Sequence, residues 1–233
     1  MKDKKFDIAA VITVILLNSI LNEGVYYLAR LIAGGMKHHN MTLHFDLMIP
    51  FLPWTVLIYF GCFAFWIVAY IVIAMTGPAE GEIDNRWRVF SADGLSKFIA
   101  LIFFIALPTT LIRPETGCEN LMDTFATLLY QIDSADNLFP SLHCSISWFC
   151  WIGARSNKRI PAWFRNLCLI MAILVCIATL TTKQHVIVDI FAGIILAEGC
   201  YWLTGFESIA RLYMIPAEKL AEAIRKALPK LTH

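Results

Sequence analysis

The sequence predicts an all-α, polytopic membrane protein with six transmembrane helices and a C-terminal amphipathic helix. Hydrophobic residues make up 58% of the 233 and charged residues only 16%, with a mean hydropathy of +0.65. A soluble domain has no way to hide that much apolar side chain. The apolar residues also come in long runs, each closed by a turn or a charged stretch. Finally, the cations are unevenly distributed among the connections, as the topology of a membrane bundle requires. Length allows one or two domains; the continuous succession of spans reads as a single membrane domain over residues 1–233.

The first span is expected from about Phe6 to Ala33, after Lys2, Lys4 and Lys5 and without a small-residue cleavage site, so it stays as an anchor. Glu23 and Arg30 lie two helical turns apart on one face and read as an interhelical polar contact inside the bundle. The loop Gly34 to Leu52 carries His38, His39 and His44, read as surface residues because only Asp46 accompanies them and no metal-ligand spacing results. Span two runs from Pro53 to Met75, and Gly77 to Glu82 breaks it. A polar segment from Asp84 to Lys97 precedes span three, about Leu95 to Leu111, which Pro114 closes with Arg113 at the membrane edge. An acidic, amide-rich loop continues to Leu138. Span four starts at Phe139-Pro140-Ser141, with proline suited to a first helical turn, and ends near Ala154. Spans five (Ala162 to about Leu180) and six (about Val186 to Leu203) flank the polar turn Thr181 to Asp189. From Glu207 to Leu231, Ile209, Leu212, Ile215, Leu220, Ile224 and Leu228 recur at helical spacing among basic residues, the pattern of a helix on a membrane surface. The seven cysteines fall mostly within apolar runs and read as packing residues. No basic stripe interleaved with aromatics suggests nucleic acid.

Four of the 19 lysines and arginines (Arg30, Lys37, Arg113 and Lys183) fall on one side of the bundle; the remainder fall on the side of the termini. The termini are therefore expected in the cytoplasm of a cell-membrane protein, with Arg113, His143, Lys183 and His185 emerging extracytoplasmically from three separate connections. Ionisable groups at the ends of apolar runs call for a reason. His185 and Asp189 lie one turn apart, so the carboxylate can hold one ring nitrogen and leave the other free to attack. His143 sits in the first turn of span four, whose amides and dipole favour an anion. Arg113 suits bidentate contact with phosphate oxygens, Lys183 adds a mobile point charge, and Ser141 a further hydrogen bond. The set points to phosphoryl transfer with His185 as nucleophile and His143 as proton donor. It calls for no metal and no cofactor, because it lacks the clustered carboxylates of a magnesium or two-metal site.

Arg113-Pro114, Pro140-Ser141-Leu142-His143 and His185 with Asp189 resemble, in order and spacing, the three signature motifs of the PAP2 (type 2 phosphatidic acid phosphatase) superfamily. The resemblance covers about residues 45 to 200, within a PAP2-like core of about 45–205 followed by the interfacial helix at about 207–231. It implies a phosphohistidine at His185 oriented by Asp189, His143 as general acid, and phosphate binding by Arg113, Ser141 and Lys183. The substrate it implies is a phosphomonoester or diphosphate of a membrane lipid. Two positions depart from the usual pattern: Ala106 stands where the first motif has a lysine, and Ala178-Thr179 where a Ser-Arg pair precedes the third histidine. Thr-Lys-Gln-His is similar to a bacterial branch of the superfamily, and Lys183 there supplies a charge. Pro-Ser-Leu-His is similar also to inositol phosphorylceramide synthases, which transfer the head group to a lipid alcohol. Hydrolysis, transfer to an alcohol, and lipid-phosphate binding or transport without catalysis are the three functions this pattern allows.

Overall fold

The computed structural model describes residues 6–78, 80 and 83–228. The N-terminal lysines, part of the expected break at Gly77 to Glu82, and the tail beyond Leu228 lie outside the described residues. The long helices are α1 (Ile8–Ala33), α3 (Val56–Met75), α4 (Arg86–Ala106), α6 (Leu142–Arg155), α7 (Ala162–Thr181), α8 (Ile187–Leu203) and α9 (Glu207–Ala227); shorter ones are α2 (His44–Met48) and α5 (Leu121–Ile132). A two-residue parallel bridge joins β1 (His39–Asn40) to β2 (Thr109–Thr110). Alone, α1, α4, α7 and the unit Pro53–Met75 are long and apolar enough to cross a membrane. Helix α8 joins that group when taken with α9, from which it is bent by 95°. Helix α6 is 14 residues long, about 21 Å at 1.5 Å per residue, and is almost wholly enclosed by its neighbours. Ile20, Leu31, Ile102 and Ile195 point outward and exposed, a surface suited to hydrocarbon.

The helix ends follow local chemistry. Asp7 caps α1 by accepting the Ala10 amide at 3.1 Å, and Asn120 caps α5 through Met122 and Asp123. Pro53 opens the 3-10 turn that leads into α3, and Pro161 precedes α7. Arg225 of α9 pairs with Asp7 at 2.7 Å, so the described ends of the chain meet at one end of the bundle.

Two expectations about elements are corrected. Span three begins at Arg86, not near Leu95, because the polar segment before it is itself helical. Its polar side chains are satisfied within the bundle: Ser96 bonds the Asp93 carbonyl, Ser91 bonds the Ala210 carbonyl at 3.3 Å, and Lys97 pairs with Asp93 one turn away. The pairing allows charged groups to sit at full burial, so Lys97 is not the loop cation that the charge count assumed. Second, the acidic loop contains α5, whose Ala126 and Leu129 pack inward. Capping and one buried stripe make a helix too short to register as a span. The protein-facing side of α9 is the small-residue side, Ala210, Ala217 and Ala221 with Tyr213 and Met214. Tyr213 accepts a hydrogen bond from Asn18 at 2.9 Å and lies against Gly94, where a Cβ would collide with its ring. Leu212, Ile215, Leu220 and Leu228 are exposed on the side away from the bundle, open to a membrane surface. The helical spacing was sound; small residues win the inner face because they permit close helix approach.

Candidate active site

The site forms where three connections meet: β2 to α5, the entry to α6, and the turn between α7 and α8. Ser141 caps α6, its Oγ accepting the Cys144 amide at 3.3 Å, while its own amide donates to the Asp189 carbonyl at 3.1 Å. The helix therefore starts at Leu142, later than the expected entry at Phe139, and Pro140 precedes the cap in place of the first turn. Gly193 on α8 makes this junction possible, because a Cβ there would collide with the Ser141 carbonyl oxygen. Gly193→Ala is expected to push the α6 entry away from α8 and reduce turnover at least about tenfold by displacing His143 from His185. Steady-state kinetics beside a thermal-unfolding control would check this; unchanged turnover would refute it.

His143 and His185 come together with ring centres 5.7 Å apart. His185 is buried, and its Nδ1 lies 3.3 Å from Oδ2 of Asp189. The same oxygen accepts the Val186 amide at 3.0 Å, which fixes the carboxylate against the ring. Burial alone depresses the pKa of His185, but the Asp189 hydrogen bond and charge outweigh it and raise the ring above its ordinary value. The two rings stand between two cavities. One, about 300 Å³, is bordered by His185, Arg113, Lys183, Asp46 and Phe51. The other, about 280 Å³, is bordered by His143, Tyr59, Asp133, Glu23, Tyr26 and Phe63.

Arg113 reaches the first cavity in a fixed pose. Its Nη1 donates to the Asp133 carbonyl at 2.5 Å, its Nη2 to Gln184, and its guanidinium lies 4.7 Å from the centre of the Tyr130 ring. Burial lowers its pKa while the Asp133 carboxylate opposes the shift; a guanidinium retains its charge under such conditions. Lys183 departs from expectation. It adopts φ 55°, and its ammonium is clamped by the carbonyls of Asp46 (3.0 Å) and Ile49 (2.6 Å). Burial lowers its pKa against the pull of Asp46. The residue borders the cavity as an anchored charge in place of a mobile one, and it fastens the α2 segment to the site. Ser141 is wholly buried as the α6 cap.

Several residues with no role assigned from sequence belong to this assembly. Asp46 receives the amides of Leu43 (2.7 Å) and Ile187 (2.8 Å), tying α2 to the start of α8. Gln184 holds Arg113, and Tyr130 donates to the Thr182 carbonyl at 2.9 Å. Tyr59 bridges Asp133 and His143. Asp46 and Tyr59 stand out in sequence beside Ile49-Pro50-Phe51, and Gln184 by its place between Lys183 and His185, but none of the three carries a role from sequence alone. Glu23 and Arg30 do not meet: Arg30 forms a bidentate pair with Asp136 at 2.8 Å, and exposed Glu23 faces the second cavity, because α1 turns Arg30 toward the loop after α5. Of the loop histidines, His39 and His44 are exposed and His38 is half-buried.

No curated relative and no solved structure matches the chain. The sequence profile of the PAP2 superfamily matches residues 43–203, from the start of the Asp46 segment to the last residue of α8. That stretch contains both imidazoles and, apart from Thr42 and the α1 wall, the residues that border the two cavities, and it exceeds half of the chain. The chain therefore belongs to the PAP2 superfamily.

Proposed function

We propose that this protein is a metal-independent lipid phosphate phosphatase, acting on a phosphomonoester or diphosphate of a membrane lipid at the extracytoplasmic face. The observation that carries this reading is the pair of imidazoles standing between a cationic cavity and an aromatic one. A nucleophile and a proton donor that act on one phosphoryl group must both lie within reach of it, and rings centred 5.7 Å apart bring the two imidazoles that close together. The phosphoryl group occupies the Arg113 side, where charge neutralisation is worth most. The lipid tail occupies the side lined by Tyr26, Phe63 and Leu129. His185, held at Nδ1, attacks phosphorus through Nε2. The bond from phosphorus to the lipid oxygen breaks, and His143 gives that oxygen its proton. Water then attacks the phosphohistidine, His143 takes the water's proton, and phosphate and free His185 result.

Head-group transfer is the second reading, favoured by Pro140-Ser141-Leu142-His143 and by an aromatic cavity that suits an incoming lipid alcohol as well as a departing tail. Purified protein offered a panel of lipid phosphates, with free phosphate and transferred head group both quantified, tests the two together. Release of phosphate, blocked by vanadate and indifferent to EDTA, is the expected result. Silencing by EDTA would contradict the mechanism.

The His185 shift adds a pH prediction. Attack needs an uncharged ring, so a raised pKa places the acid limb of the kcat/KM profile above the ordinary histidine value. Asp189→Asn removes the two largest raising contributions, so the acid limb moves to lower pH. The plateau falls by about 10²–10⁴-fold as orientation is lost. An acid limb that stayed in place would remove Asp189 from this role.

A further inference from the structure

Tyr59 lies at a shared contact that the phosphatase reading leaves unused. Its ring is buried against His143, with ring centres 4.6 Å apart. Its hydroxyl meets Oδ2 of Asp133 at 2.6 Å and Nε2 of His143 at 2.7 Å. A phenol has one proton to give. The carboxylate accepts only, so that proton goes to Asp133, and the phenolic oxygen must accept from Nε2–H. The other ring nitrogen, Nδ1, is buried and has no partner among the described residues. Asp133 also receives Arg113 through its carbonyl, so one residue at the end of α5 touches both sides of the site.

We propose that Tyr59 and Asp133 are positioning residues for His143, fixing its proton on Nε2 so that Nδ1 is the nitrogen that exchanges a proton with substrate and water. The inference rests on the phosphatase reading and specifies how its acid is wired. In the charged ring both nitrogens carry protons. Nδ1 passes its own to the lipid oxygen as the bond to phosphorus breaks, leaving a neutral ring still donating from Nε2 to Tyr59. In the second step Nδ1 recovers a proton from the attacking water. The Asp133 charge, relayed through the phenol, offsets part of the burial cost of the protonated ring on which the first step depends. Other groups facing His143 are His185 from the turn before α8 and Glu23, Tyr26 and Arg30 from α1; among these, direct hydrogen bonding to the ring comes from Tyr59.

The test compares wild type, Tyr59→Phe, Asp133→Asn and Asp133→Glu on two substrates. One is a lipid phosphate, whose alkoxide needs a proton to leave; the other is p-nitrophenyl phosphate, whose leaving group does not. Tyr59→Phe is expected to lower kcat on the lipid phosphate on the order of 10–100-fold, with little change in KM. Its loss on p-nitrophenyl phosphate is expected to be several-fold smaller, because only the second step then draws on His143, and thermal unfolding of the variant certifies the fold. Asp133→Asn should move the basic limb of the lipid-phosphate profile to lower pH, and Asp133→Glu should restore part of the shift. Equal losses on both substrates, or a basic limb unmoved in Asp133→Asn, would overturn the relay. Wild-type protein inactive on both substrates would overturn the phosphatase reading, and the relay with it.

Discussion

His185→Ala is expected to abolish phosphate release, with a loss on the order of 10⁴-fold or more, because it removes the atom that bonds to phosphorus as well as a proton carrier's partner. The effect belongs in kcat: Arg113, anchored by Asp133 and Gln184, is untouched by the change and continues to hold the anion. The separation of binding from chemistry makes the result diagnostic. Wild type mixed with radiolabelled lipid phosphate and quenched in alkaline detergent should retain label in a base-stable, acid-labile linkage, and the variant should retain none. A variant that bound lipid phosphate and functioned fully would instead identify a binding or transport protein.

Lys97→Met is expected to cost stability rather than chemistry. Lys97 and Asp93 are each about 1% exposed in their side chains and pair across one turn of α4. Removing the cation strands a carboxylate that already has one oxygen without a partner, Oδ2. Breaking one half of such a pair costs about 3–5 kcal/mol, whereas replacing both halves with apolar residues is often neutral or better. Unfolding in mixed micelles should show the single variant much weaker than wild type, and Asp93→Leu with Lys97→Met should recover most of the loss. If the double variant were no better than the single, an uncompensated charge would not be the cause.

The two predictions differ in how far they were legible beforehand. His185, Asp189, His143 and Arg113 stand out in sequence because ionisable side chains at the ends of apolar runs are costly and few. A helical spacing of four between His185 and Asp189 is a local relation, and the structure places them in contact. Lys97 and Asp93 share the same spacing, yet they read as part of a loop. Nothing local distinguishes a polar segment exposed to water from one whose charges cancel inside a bundle. Lys183 shows the opposite error: its position was evident, but its engagement by Asp46 and Ile49 depends on a segment far away in sequence.

By itself, the sequence determined the class of the protein, the course of its main helices and the candidate residues of the site, since hydropathy and one-turn spacings are properties of neighbours along the chain. The tertiary structure alone decided that Tyr59 of α3 and Asp133 after α5 meet His143, that Gln184 steadies Arg113, and that α9 presents its alanines to α1 and α4. Those contacts join residues far apart in sequence, and their partners are chosen by packing geometry and by the need to satisfy each buried polar atom.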